Sequence, residues 1–288
     1  MNEVNSTQDP FFTIASSAMQ SVWSRTPCGY QQYVIPHILR MMANIIKPQP
    51  VLVVQATGSG KSTIPLTCSI VDDGISIIIQ NTLALGSDQT TKVILQSSNS
   101  SKITKAYQLD MFKTNSEQKH LSNAIIDHCS KNKDSSIILF CSPETLLKSV
   151  WIEYIIRILS LDLLCIFCID EIHLFVDFGL SFRKQFQLLK DRVIKLIMNK
   201  DDSMKVPLVL MTATFDNQLL FLLQKMLGIQ INSSNTFWGD HCQFRKRNIK
   251  IQIKYLNRKF LNICNQIKSS AERNISEKSI IMFNCQKS

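Results

Sequence analysis

This 288-residue chain predicts an α/β fold, a parallel sheet with helices on both faces, and three observations predict it. Short apolar runs alternate with segments of helical period. A glycine loop follows the first of these runs and opens a helix. An acidic pair closes the most apolar run. Near-continuous apolar runs suit parallel strands, which are covered on both faces and so need no polar side. The runs are Val51–Val54, Ile75–Ile79, Ile137–Cys141, Leu163–Ile169 and Val206–Met211.

The intervening segments carry the helical period. Across 31–47, Val34, Ile35, Ile38, Met41, Met42, Ile45 and Ile46 fall on one stripe at three-to-four spacing. Across 183–200, Phe186, Leu189, Val193, Leu196 and Ile197 repeat the pattern. Asp216 is a suitable N-cap for a third helix over 217–227. The polar stretches 97–102 and 113–120 predict surface loops.

Composition narrows the class of partner. At 45% hydrophobic residues the chain can bury one good-sized core, and its net charge of +10 favours polyanionic partners without identifying them. Nine cysteines, scattered through apolar runs, predict reduced thiols in an intracellular setting. The first twenty residues lack a basic start followed by a long apolar core, and no apolar run reaches spanning length, so neither a signal peptide nor a membrane partner is expected. Cys165 and Cys168 have the C-x-x-C spacing of a zinc site. On a strand, however, their thiols point to opposite faces, and no second pair lies at ligand distance, so no zinc site is expected.

The chemistry begins at Thr57-Gly58-Ser59-Gly60-Lys61-Ser62-Thr63. Gly58 and Gly60 let backbone N–H groups curl around an anion, and the helix that follows adds its positive dipole end. Lys61 would reach the outer phosphates of ATP and Ser62 would hold Mg²⁺. The long form of this motif wants glycine where the chain has Gln55, so the match is to the shorter form found in nucleic-acid-dependent ATPases. Downstream, Asp170-Glu171-Ile172-His173 closes the richest strand. Asp170 is the candidate to meet the Mg²⁺ held by Ser62, and Glu171 the candidate to orient or deprotonate the attacking water. Thr212-Ala213-Thr214 closes the last strand, where its hydroxyls can hydrogen-bond toward the acidic pair.

In this order the three motifs resemble the first motor domain of superfamily two helicases, which is RecA-like and belongs to the P-loop NTPases. Within the superfamily, Phe178-Gly179, Phe182-Arg183 and Phe186 keep the spacing of the aromatic loop of the RecQ family, with Phe replacing Trp at 178 and Tyr at 186. The resemblance implies an ATP-dependent 3′–5′ DNA helicase using Mg²⁺-ATP on single-stranded or forked DNA in recombination and repair, nuclear if the source is eukaryotic. It implies that Phe178, Phe182 and Arg183 sense the strand; the plainer reading makes the phenylalanines, four apart, the core face of a helix. It implies coupling roles for His173, Thr212 and Thr214. Tyr30-Gln31 resembles the adenine-reading glutamine motif, with Gln32 as the fallback. Asp88-Gln89 and Ser142-Pro143-Glu144 resemble DNA-facing elements.

The resemblance also divides the chain into an N-terminal extension over 1–26, the ATP-binding domain over 27–243, a junction over 244–277 that includes Phe244–Ile249, and the opening strand of a second motor domain over 278–288. With only a strand of that second domain, the chain by itself is not expected to unwind DNA. Two alternatives remain open at this point, a relative in the RNA helicase branch and a non-catalytic nucleic-acid or protein interaction module that keeps the fold.

Overall fold

The computed structural model describes residues 9–80, 90, 91, 93, 103–132, 134–174, 187–199, 204–214 and 216–239. All of them lie in the first of two compact units, Met1–Arg245 and Lys246–Ser288. The expected junction and the expected second-domain strand from Ile280 to Phe283 fall outside the described residues, as does the loop expected at 97–102.

Seven parallel strands form one sheet. In chain order they are β1 (Pro50–Val54), β2 (Gly74–Ile79), β3 (Ile103–Gln108), β4 (Ser135–Cys141), β5 (Leu164–Ile169), β6 (Leu208–Thr212) and β7 (Thr236–Trp238). Their order across the sheet is β3-β4-β2-β5-β6-β1-β7, so the five strands foreseen from apolar runs are the central five. Strand alternation sends neighbouring residues to opposite faces, and both faces are dry. In β1, Leu52 and Val54 join one apolar cluster while Val51 and Val53 join the other.

Three helices, α1 (Pro10–Trp23), α2 (Gln31–Met42) and α3 (Thr63–Val71), cover one face and pack on one another. α1 starts at an N-cap, Asp9, whose carboxylate accepts the Phe11 N–H, with Pro10 preset for the first turn. Its Ala15, Met19 and Val22 are buried against the α2 stripe, so residues 10–23 are built into this core. The opposite face is covered by α4 (Asn115–Lys131), α6 (Ser149–Ser160) and α7 (Asn217–Leu227), α5 (Pro143–Leu146) being a single turn after β4. Trp151 and Ile155 of α6 are fully buried there.

Two expectations need correction. The helix foreseen over 31–47 stops at Met42, because Asn44 turns left-handed at φ 55° and Arg40 O takes the N–H groups of Ile45 and Ile46. Ile45 is consequently exposed rather than on the buried stripe. The loop foreseen over 113–120 is the first turns of α4. Thr114 Oγ1 accepts the Glu117 N–H while Glu117 accepts the Thr114 N–H, a reciprocal cap that starts a helix on a polar surface. The helix foreseen over 183–200 is described only from residue 187, and its turn Lys190–Ile194 is a π-helix before Lys195–Ile197 returns to α. Asp216 does cap α7, accepting the Leu219 N–H at 2.6 Å.

The α4 cap sets up the first prediction. Hydrogen bonds from Thr114 hold the Glu117 carboxyl below its ordinary value of 4.5. A carboxyl depressed in the folded state stabilises it fully above the unfolded value, and that contribution is lost as pH falls through the depressed one. Thr114→Ala is expected to lower Tm by about 2–4 °C at pH 7, and wild type and variant alike are expected to lose the Glu117 contribution in acid, because alanine keeps the backbone N–H that chiefly depresses it. Thermal melts at both pH values check it.

Candidate functional site

The site lies where β1, β5 and β6 end side by side. Leaving β1, the chain passes Gln55, whose N–H bonds to Thr212 O across to β6, and enters the glycine loop. Gly58 and Gly60 take φ of 78° and 87°, the left-handed region that frees the loop backbone to curl, and α3 begins at Thr63. Thr57 and Gly58 are exposed, Ser59, Gly60, Ser62 and Thr63 are half-buried, and Lys61 is buried.

Lys61 folds inward. Its Nζ donates to Gln55 O at 2.8 Å and Ala56 O at 3.3 Å and stands 4.0 Å from Glu171 Oε1. The ammonium therefore already bridges the loop and the acidic pair expected from sequence. Asp170 is itself buried, and burial, then the neighbouring Glu171 charge, pushes its carboxyl up to about 6. The Glu171 N–H donates to Asp170 Oδ1 at 2.9 Å.

Glu171 takes φ 48°, unusual for a residue with a Cβ, and this turn swings the chain off the end of β5. It brings His173 back toward β6, where Nδ1 stands 3.1 Å from Thr212 Oγ1 and 3.3 Å from Glu171 Oε2. Proton bookkeeping assigns the imidazole. Thr212 Oγ1 donates to Thr214 O at 2.6 Å and accepts the Thr214 N–H at 3.2 Å, so toward His173 it can only accept. Nδ1 thus carries the proton and gives it to the threonine hydroxyl, with the Glu171 carboxylate oxygen standing 3.3 Å away. His173, Thr212 and Thr214 form one connected set with the acidic pair.

Gln31 opens α2 and lies buried against the loop rather than exposed beside it. Its Nε2 donates to Gly60 O at 3.1 Å, and its Oε1 accepts the Cys28 N–H at 3.2 Å. The fallback Gln32 donates away from the loop, to Pro27 O. Tyr30, which sequence reading used only to frame Gln31, donates its hydroxyl to Ser59 O at 3.4 Å. Ser142 caps α5, accepting the Thr145 N–H, and donates its own hydroxyl to Asp110. Asp88, Gln89, Phe178, Phe182 and Arg183 lie outside the described residues.

Asp110 is the residue sequence reading missed. Its buried carboxylate accepts from Ser142 N, Ser142 Oγ, Thr145 Oγ1 and Gln108 Nε2, at 3.0, 2.5, 2.6 and 2.7 Å. No local pattern marks it, since three of its four hydrogen bonds come from Ser142 and Thr145, after β4. Cys168 is buried and burial pushes its thiol well up, while Cys165 Sγ donates to Asp73 O, so the two sulfurs face apart as strand geometry requires. Among the described residues no group of three His, Cys, Asp or Glu side chains could hold a metal ion, and no helix is long and apolar enough to cross a membrane.

The donor set fits Mg²⁺-ATP. A curled glycine loop, a buried ammonium, the Ser62 hydroxyl and a carboxylate made basic by burial are what triphosphate and a divalent cation require. The family DEAD/DEAH box helicase matches residues 28–221, which span the loop, the acidic pair and the Thr-Ala-Thr strand end. The chain belongs to that family. It is therefore a helicase motor domain of superfamily two, and the seven-stranded parallel sheet is its RecA-like fold.

Similar proteins agree at lower identity. A putative ATP-dependent DNA helicase Q1 of Caenorhabditis elegans is 26% identical over 211 residues, covering 73% of this chain and 30% of that protein. The protein of the same name from Caenorhabditis briggsae is 26% identical over 188 residues, covering 65% of this chain and 28% of its own length. The chain thus spans less than a third of these relatives. Among solved structures, the DUF1998 helicase MrfA matches with a TM-score of 0.55 at 15% identity over 95% of this chain and 38% of that one, which speaks to fold alone.

Proposed function

We propose that this chain is the ATP-binding half of a RecQ-like 3′–5′ DNA helicase motor, coupling Mg²⁺-ATP hydrolysis to movement on single-stranded or forked DNA. Recombination and repair, in the nucleus of a eukaryotic source, are the settings that reading implies. The observation that carries it is the unbroken contact path from Lys61 through Glu171 and His173 to Thr212. Such a path lets the state of the phosphate site reach the end of another strand. The aromatic-Gly and Phe-Arg spacing after Asp170-Glu171 and the nematode relatives support the RecQ-like form.

Each residue then has a task. Loop N–H groups and Lys61 hold the phosphates. Gln31, at the loop's edge, reads adenine by turning its amide from Gly60. Ser62 and Asp170 would hold Mg²⁺, which supplies charge neutralisation at the transferring phosphoryl group when bound. Glu171 orients the attacking water and takes its proton, and His173, held by Thr212, stands beside the Glu171 carboxylate. Phe178 and Phe182 stack on bases, and Arg183 pairs with phosphate.

Two measurements test the proposal. Fluorescence anisotropy is expected to show tighter binding of single-stranded DNA than of RNA of the same sequence, weakening as salt rises. Equal or tighter RNA binding would overturn the DNA assignment. In a protein carrying both motor halves, Glu171→Gln is expected to lower DNA-stimulated hydrolysis by about 10²–10³-fold while Mg²⁺-ATP affinity stays within about threefold. Unchanged hydrolysis would remove Glu171 from the mechanism.

A further inference from the structure

Gln55 occupies the position between β1 and the loop, and its side chain is buried. Its carbonyl receives Lys61 Nζ, and its Oε1 accepts the Ala56 N–H at 3.1 Å. Over that carboxamide runs the backbone of Gly239, the residue after β7, whose N–H donates to Val54 O at 2.9 Å. A Cβ on Gly239 would overlap Gln55 Oε1, Cδ and Nε2, all closer than the 3.0 Å that real Cβ atoms keep. Gly239 is not among the glycines with positive φ, so its backbone conformation does not call for glycine. The carboxamide beneath it does.

The opposite end of β7 braces α2. Asn235, just before β7, accepts from His37 Nε2 of α2 at 3.1 Å and donates to Gln49 Oε1 at 2.6 Å. Phe237 of β7 packs against the His37 ring, centroids 5.3 Å apart. α2 is the helix whose first residue, Gln31, touches Gly60.

We infer that Gly239 is a positioning residue of the phosphate loop: it seats the Gln55 carboxamide at the end of β1 and, through Gln55, fixes the carbonyl on which Lys61 rests. The inference rests on the reading that this loop takes Mg²⁺-ATP. A side chain at 239 would displace the carboxamide from this seat and with it the bond that Gln55 Oε1 accepts from the Ala56 N–H. Gln55 is a long residue where the motif's fuller form has glycine, and Gly239 is the complementary small one.

The test is a double-mutant cycle on the full 288-residue chain with G239A, Q55A and the pair. Mg²⁺-ATP affinity is read by calorimetry and the exchange of the Ala56 to Lys61 amides by hydrogen–deuterium exchange. G239A is expected to weaken Mg²⁺-ATP by about tenfold or more and to speed loop exchange, whereas adding G239A to the Q55A background changes affinity by less than about threefold. Equal losses in both backgrounds would overturn the inference, as would a lowered Tm with affinity and loop exchange unchanged. If G239A fails to fold, folding of the pair supports action through Gln55, and failure of the pair as well overturns it. If the wild-type chain binds no nucleotide, the proposed function falls, and the exchange comparison alone still decides whether Gly239 acts on the loop.

Discussion

Lys61→Ala is expected to remove measurable Mg²⁺-ATP binding, a loss of at least about 100-fold in affinity. The Lys61 ammonium is the buried cation between the loop carbonyls and Glu171, with a side chain only 5% exposed. Charge-assisted hydrogen bonds from such a group to phosphate contribute about 1.5–3 kcal/mol each, because little water competes for it. Without it, Asp170 and Glu171 face the phosphates with no compensating charge in this set, and the Asp170 carboxyl, already raised, rises further. Lys61→Arg is not expected to restore affinity, since a planar fork does not fit where a compact ammonium sits on two carbonyls. Nucleotide titration by calorimetry, with thermal melts to confirm folding, decides the matter. Affinity within about threefold of wild type in the alanine variant would mean that this loop is not the nucleotide site.

Asp110→Ala is expected to be strongly destabilising while leaving the nucleotide site's own side chains intact. Four hydrogen bonds converge on this carboxylate, from the end of β3 and from the β4–α5 turn. Truncation leaves buried donors without an acceptor, at about 1–3 kcal/mol for each one that water cannot reach. A total of about 3–5 kcal/mol, or about 10 °C in Tm, follows from the non-additive sum. Asp110→Asn keeps the shape but turns one acceptor into a donor facing Ser142 or Thr145, so it recovers only part of the loss. Urea denaturation with an unchanged slope and a lower midpoint is the expected record. A shift under about 1 kcal/mol would mean that water replaces the carboxylate.

Most of the sheet and the centre of the site were legible because both depend on short, local signals. Val51–Val54 and Ile137–Cys141 announce buried parallel strands by apolar content alone. The loop, Asp170-Glu171 and Thr212-Ala213-Thr214 each announce themselves by residue type at a strand end. What escaped was of two kinds. β3 carries Thr104, Lys105 and Gln108 because it is an edge strand, and β7 is three residues long, so neither has the apolar run that marked the central five. α1 and α4 did carry signals, Asp9-Pro10 and Thr114 with Glu117, that apolar content did not reveal. The bonds of Asp110 with Ser142 and Thr145, and the contact of Gly239 with Gln55, are tertiary. Residues remote in sequence make them, and no window of the chain contains both partners.

The strand order has a consequence for how the protein comes into being. β6 inserts between β5 and β1, pairing Ile169 with Leu210 on one side and Val54 with Thr212 on the other. During synthesis the glycine loop and the acidic pair are both finished long before the strand that holds them side by side has been made. Until Thr212 arrives, Gln55 lacks the carbonyl its N–H uses and His173 lacks the hydroxyl that orients it. A nascent chain ending between β5 and β6 therefore exposes the β6-facing edges of both β5 and β1, a form prone to wrong pairing, and the nucleotide site arises late.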